Sequence, residues 1–149
     1  MTRVFIDLHC HTSASFDSLA RPGDVVRAAA ARGLTHLVVT DHDRIDGALA
    51  ARAEAPASLE VIVGEEIRTS EGDLIAAYLE RAVAPGMSAT DTIAAVREQG
   101  GLVGIPHPFD RLRGSMLRDT RMSTLISLVD WVEVHNARLV GGGNDRAAT

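Results

Sequence analysis

The sequence contains no lysine; all 15 of its basic Lys/Arg residues are arginine. A glycine-rich phosphate-binding loop that ends in lysine is therefore excluded. A single cysteine, Cys10, rules out an internal disulfide framework and fits a reducing compartment. No apolar run approaches the length of a membrane span, and the N-terminus enters a strand-like segment without a charged-then-apolar leader. The expectation is a cytoplasmic protein with no membrane partner. No Gly-x-Ser-x-Gly nucleophile elbow occurs, and there is neither an internal repeat nor a low-complexity linker. The net charge of −5 and the lack of a basic stripe argue against nucleic acid as a partner.

What is present is ordinary in amount and unusual in arrangement. At 149 residues the chain is one domain's worth, enough for a core but short for a complete α/β barrel. Apolar segments alternate with helix-like ones. Strands are predicted at Arg3–Leu8, His36–Thr40, Leu59–Val63, Asp73–Tyr78, Leu102–Ile105 and Trp131–Val134. Helices are predicted at Pro22–Arg32 and Ile45–Ala53, from Ser88 to Gly100-Gly101, and at Met122–Val129. Ser88 with Asp91 forms an approximate capping box. This alternation predicts a mostly parallel sheet or barrel, in which active sites gather where strands end.

Metal-ligand residue types cluster at those ends. Asp7-Leu8-His9-Cys10-His11-Thr12 closes the first strand. Alternate side chains share a face, so His9 and His11 point one way, about 7 Å apart along the strand, while Cys10 points the other. Asp7 shares the His face and suits a carboxylate partner for an imidazole N–H; an ordinary edge carboxylate is the plain alternative. Asp17 follows in the next loop. Thr40-Asp41-His42-Asp43 ends the second strand, where three polar groups destabilise an edge unless paired or ligated. His42 reads as a ligand, Asp41 as a supporting group, and Asp43 as a possible helix cap. Glu65 and Glu66 are adjacent, so only one easily faces the site. His107 lies in a rigid turn between Pro106 and Pro108. His36 reads as surface or structural. Glu133 and His135 share a strand face, and His135 stays open between ligand, substrate contact and structure.

Taken together, Asp7-Leu8-His9-Cys10-His11-Thr12, Thr40-Asp41-His42-Asp43, Gly64-Glu65-Glu66-Ile67 and His107-Pro108 resemble the PHP family of polymerase and histidinol phosphatase metal hydrolases. The resemblance implies an α/β fold, a distorted seven-stranded β/α barrel. It also implies two or three divalent ions, zinc, manganese or iron, at the strand C-termini. By it, His9, His11 and Glu66 would hold one ion, Asp17 and His42 a second, and Glu66 would bridge to a third shared with His107. Asp73 stands where many members carry histidine; either it is a carboxylate ligand or the third ion is weaker or absent. Asp17 in place of histidine resembles the branch acting on nucleotides. The late Asp-x-His motif of the family is not in the sequence, and neither are a last strand and its helix. Residues 1–149 therefore read as a single PHP-like domain, C-terminally incomplete.

The expected activity is hydrolysis of a phosphomonoester or nucleotide-type substrate through a metal-bound hydroxide. Arg111, Arg113 and Arg138 are candidate phosphate-binding residues. The alternatives are a PHP-derived metal-binding or interaction module without catalysis, and a part of a PHP nuclease.

Overall fold

The computed structural model describes residues 3–109 and 124–136 together with Asn144 and Ala148. Among them run six strands: β1 (Ile6–Cys10), β2 (His36–Val39), β3 (Glu60–Thr69), β4 (Gly72–Ala77), β5 (Leu102–Ile105) and β6 (Trp131–Val132). Three helices lie between them: α1 (Pro22–Ala31), α2 (Asp46–Glu54) and α3 (Ala89–Arg97). Pro22 occupies the first turn of α1, where its missing N–H leaves no bond unmade. Ser88 caps α3 as predicted, its Oγ accepting from the Asp91 amide at 3.1 Å. No helix among the described residues is long and apolar enough to cross a membrane.

The strands form one sheet in chain order, β1 to β6. The β1–β2, β2–β3 and β5–β6 pairs are parallel, whereas β4 runs antiparallel to both β3 and β5. The sheet is thus mostly parallel, as expected, with β4 the one reversed strand among the six. Only Ser70 and Glu71 separate β3 from β4, and a parallel return needs a connection of about a dozen residues. β3 also runs past Gly64, the predicted strand end. A Cβ on Gly64 would sit 2.6 Å from the Ala76 carbonyl oxygen, so this glycine marks a close approach inside a strand.

Alternation along the strands sorts the core into two layers. Leu37, Val39, Val61, Val63, Leu74 and Ala76 face the helices and pack with Val26, Ala48, Ala51 and Val96. Val38, Ile62 and Ala77 face the other way and meet Leu8 and Trp131. That second cluster joins β1 to β6, the two edges of the sheet. Flat strands about 4.8 Å apart would hold those edges roughly 24 Å from each other. Yet His9 Nδ1 of β1 lies 3.3 Å from Glu133 Oε1, just past β6. The sheet therefore curls on itself and brings its two edges together over an inner face. A cleft of about 500 Å³ lies between them, lined by Ile6, Leu8, Trp131 and Val134 among others. The expected helix at Met122–Val129 is described only from Thr124 onward, with Thr124 and Leu125 helical.

Candidate metal centre

Inside the curl, β1 carries His9 and His11 to the inner face, with His9 inside the strand and His11 one residue past its end. β3 carries Glu66 to the same face. The His42 segment continues β2 as an isolated parallel bridge to Glu66, in which the Asp43 amide donates to the Glu66 carbonyl at 3.0 Å. His107 follows β5. Four elements thus converge on one carboxylate that is almost wholly buried.

The Glu66 carboxylate points in two directions. Its Oε2 lies 3.1 Å from both His9 Nε2 and His11 Nε2 and 3.5 Å from His42 Nε2. Its Oε1 lies 3.0 Å from His107 Nε2. Burial pushes the Glu66 pKa up, but the imidazoles of His107, His11 and His9 overcome this and hold it far below the usual carboxylate range. Glu65, its neighbour, turns to the helix side, where its Oε2 accepts from the Val83 amide at 2.8 Å. Burial there lifts its pKa to about 7. The alternation of β3 alone separates the two glutamates.

Three overlapping sets of donor atoms result: His9, His11 and Glu66; His11, Asp17 and His42; and His42, Glu66 and Asp73. The fit to divalent ions rests on the donors themselves. His9 Nε2 and His11 Nε2 face each other at 2.9 Å. Two imidazole nitrogens and a carboxylate oxygen converging within about 3 Å are the donor types that zinc, iron and manganese share. The Nδ1 atom of His107 is buried without a hydrogen-bond partner among the described residues, leaving its Nε2 as the end committed to the site. Asp73, buried in β4, belongs to the third donor set, and its register partner is Arg68.

Two residues that hold this arrangement carry no mark of that role in the sequence. Ser15 is buried and reaches three of the site residues. Its Oγ donates to Asp17 Oδ1 at 2.8 Å, lies 3.3 Å from His11 Nδ1, and accepts from the His42 amide at 3.2 Å. Glu133 is the other. Its Oε2 accepts from the His107 amide at 2.7 Å, and the Asn136 side chain donates to both of its oxygens. His107, whose N–H makes this hydrogen bond, has φ 27°, a left-handed conformation rare for a side chain of this size. His9 feels the same carboxylate. Burial lowers its pKa, but the side chains of Glu133 and Glu66 raise it to about 9. A serine in a loop and a glutamate beside a strand carry no local signal; only the pairing of Glu133 with His135 on one face hinted at it.

The remaining predicted residues take other places. The Asp7 carboxylate accepts from the His9 backbone amide at 3.1 Å, and the carboxylate beside the His9 imidazole Nδ1 is Glu133. Asp41 is fully buried and holds the Thr12 amide and hydroxyl at 2.6 and 2.7 Å. Asp43 does not cap α2, whose N-cap is Ile45. It adopts φ 54° and binds the Arg68 amide and guanidinium instead. His36 pairs with Glu60 at 3.3 Å, away from the cluster. His135 meets the Asn144 side chain and belongs to none of the donor sets. Burial, with Asp7 and Asp41 nearby, pushes the Cys10 thiol up to about 12, so it stays protonated. Arg111, Arg113 and Arg138 lie outside the described residues.

Residues 7–115 match the PHP domain family. The chain belongs to that family. An uncharacterized protein of Methanocaldococcus jannaschii is 32% identical over 145 residues, covering 88% of this chain and 81% of that one. A candidate metal-dependent phosphoesterase from Bifidobacterium adolescentis has a crystal structure with a TM-score of 0.74 at 18% identity. The match covers 99% of this chain and 82% of that one. An amidohydrolase from Chromobacterium violaceum, solved with sulfate and no metal, gives a TM-score of 0.64 at 18% identity, covering 87% and 76%. At such identities these structures establish a shared fold, and the PHP domain is the frame into which the cluster around Glu66 falls.

Proposed function

We propose that this PHP domain is a metal-dependent hydrolase acting on phosphoesters, with a small phosphorylated molecule as substrate. The observation that carries the reading is Glu66. Its two oxygens divide between His9 and His11 on one side and His107 on the other, the posture of a carboxylate that bridges two cations. His9, His11 and Glu66 would hold one ion, Asp17 and His42 a second, and Glu66 with His107, joined by Asp73, a third. Divalent ions held there would lower the pKa of water toward neutrality and neutralise phosphoryl oxygens.

The chain's own groups do the rest. Burial lowers the His42 pKa despite the carboxylates around it, which keeps its imidazole neutral and able to ligate near pH 7. Glu133 holds His9 and His107 in position, and Ser15 does the same for the Asp17 side. The phosphoesterase name of the Bifidobacterium structure supports the phosphoester over the amide. The amidohydrolase name keeps carbonyl substrates as the competing outcome.

The test is hydrolysis of simple phosphomonoesters by protein loaded in turn with zinc, manganese and iron(II). Turnover that stops on chelation, returns with metal and falls at least a hundredfold in His107→Ala is expected. Turnover indifferent to chelation, or confined to amides, would overturn the reading.

A further inference from the structure

The strand that presents Glu66 carries a second charged group on the same face. Alternation along β3 puts Glu65 and Ile67 on the helix side and Glu66 and Arg68 on the inner side. Arg68 stands two residues, roughly 7 Å, beyond Glu66 along the strand. Its register partner on β4 is Asp73, a member of the third donor set. The Arg68 side chain is 72% exposed, so a cation meets solvent beside the polar cluster.

That cation has a fixed position. Asp43, the residue after His42, takes the left-handed conformation at φ 54°, which aspartate tolerates better than most residues. Its amide donates to the Glu66 carbonyl at 3.0 Å. Its carboxylate accepts from the Arg68 amide at 2.9 Å and from Arg68 Nη2 at 2.7 Å. An ion pair with so exposed a partner adds little stability. What the bond does is orient the guanidinium against the backbone of Glu66 and His42.

The rest of the guanidinium is uncommitted. Among the described residues, Nε and Nη1 of Arg68 have no partner. Arg44, two residues after His42, is the contrast. Asp46 accepts from its Nε and Nη2 at 2.6 and 2.7 Å, and the Ala14 carbonyl accepts from its Nη1 at 3.1 Å, so all three nitrogens are engaged.

We infer that Arg68, oriented by Asp43, grips the anionic group of the substrate at the Glu66 cluster and is a specificity-determining residue of the proposed hydrolysis. The inference rests on the phosphoesterase reading and adds the side chain that selects for charge. A guanidinium presents its N–H groups in a fixed fork that matches the oxygens of a phosphoryl group. With one nitrogen held by Asp43, the others remain for oxygens that point away from the donor sets.

Inorganic phosphate is the probe, because it offers the anion without the rest of a substrate. Its affinity is measured by calorimetry for metal-loaded wild type, Arg68→Lys, Arg68→Ala and the double variant of Arg68→Ala with Asp43→Asn, with metal content checked in each. Arg68→Ala should weaken phosphate binding by about tenfold or more at unchanged metal content, and Arg68→Lys should recover part of the loss. The double variant separates two ways in which Arg68→Ala could act. An arginine that only neutralised Asp43 would be dispensable once Asp43 lost its charge, and affinity would return; it should instead stay low. Unchanged affinity in Arg68→Ala, its return in the double variant, or no phosphate binding by wild type overturns the inference. Loss of metal from Arg68→Ala overturns it too, because it places the effect on His42 and Glu66. Hydrolysis of a phosphomonoester is read in the same proteins. Where turnover occurs, KM should rise in Arg68→Ala in parallel with the phosphate dissociation constant, and an unchanged KM overturns the inference. If phosphate binding depends on Arg68 but no phosphomonoester is turned over, the phosphoesterase reading fails and the anion contact is supported.

Discussion

His9 concentrates the electrostatics of the site. With a pKa of about 9 and no ion bound, its imidazole is protonated at neutral pH, held between Glu66 and Glu133. Ligation needs the neutral form. Metal uptake near pH 7 should therefore release about one proton from this residue, read by calorimetry in buffers of different ionisation enthalpy. The sign for stability follows from the same shift. A raised pKa means the folded state holds the proton more tightly, so the stabilisation is full below pH 6.5 and is lost as pH rises to about 9. The melting temperature of metal-free protein should fall across that window, and that of metal-loaded protein should not follow it. Glu133 supplies the complementary test. Glu133→Gln removes the charge but keeps the shape, and it leaves one oxygen to serve the His107 amide and the His9 ring. Metal affinity should drop by about 10- to 100-fold with the fold retained, measured by competition with a chromophoric chelator.

Among the elements, the β5–β6 contact sets where Glu133 stands. A Cβ on Gly104 would overlap the indole of Trp131, its register partner. The missing side chain is what lets the Trp131 indole approach β5 so closely, with Glu133, two residues on, bonded to the His107 amide. Gly104→Ala should destabilise the protein by about 1–3 kcal/mol in chemical denaturation and weaken metal binding as well. Gly47 plays a similar part on the other flank. A Cβ there would collide with the Asp41 carboxylate and the Thr12 hydroxyl, so the start of α2 comes close enough to seal the buried Asp41–Thr12 pair. In each case a glycine inside an element reports a close approach rather than a turn.

For the whole molecule, the cluster and the fold depend on each other. The site residues come from β1 and the loop after it, the end of β2, β3, β4 and the turn after β5, so ions held among them would cross-link most of the sheet. Binding to the folded state alone stabilises by mass action, about 2.7 kcal/mol at a hundredfold excess over the dissociation constant. Removing the metal with EDTA should lower the melting temperature by about 5–10 °C, and adding it back should restore the loss. An unchanged melting temperature would mean that no ion ties these strands together.

The sequence by itself determined the elements and the donor types. Period-two and helical patterns placed α1, α2, α3 and most strands within a few residues, and His9, His11, His42 and His107 stood out because imidazoles at strand ends are hard to explain otherwise. Alternation along one strand predicts that Cys10 leaves the site, and Cys10 does pack on the helix side, although the β1 register shifts between Asp7 and Cys10. Tertiary structure decided everything that depends on distance across the chain. The curl that sets Glu133 beside His9 follows from packing between strands far apart in sequence, whereas the two-residue Ser70-Glu71 connection is enough to turn β4 antiparallel. Ser15 was silent and Glu133 was marked only by sharing a strand face with His135, for the same reason: a hydrogen-bond partner has no local pattern, only a position in space.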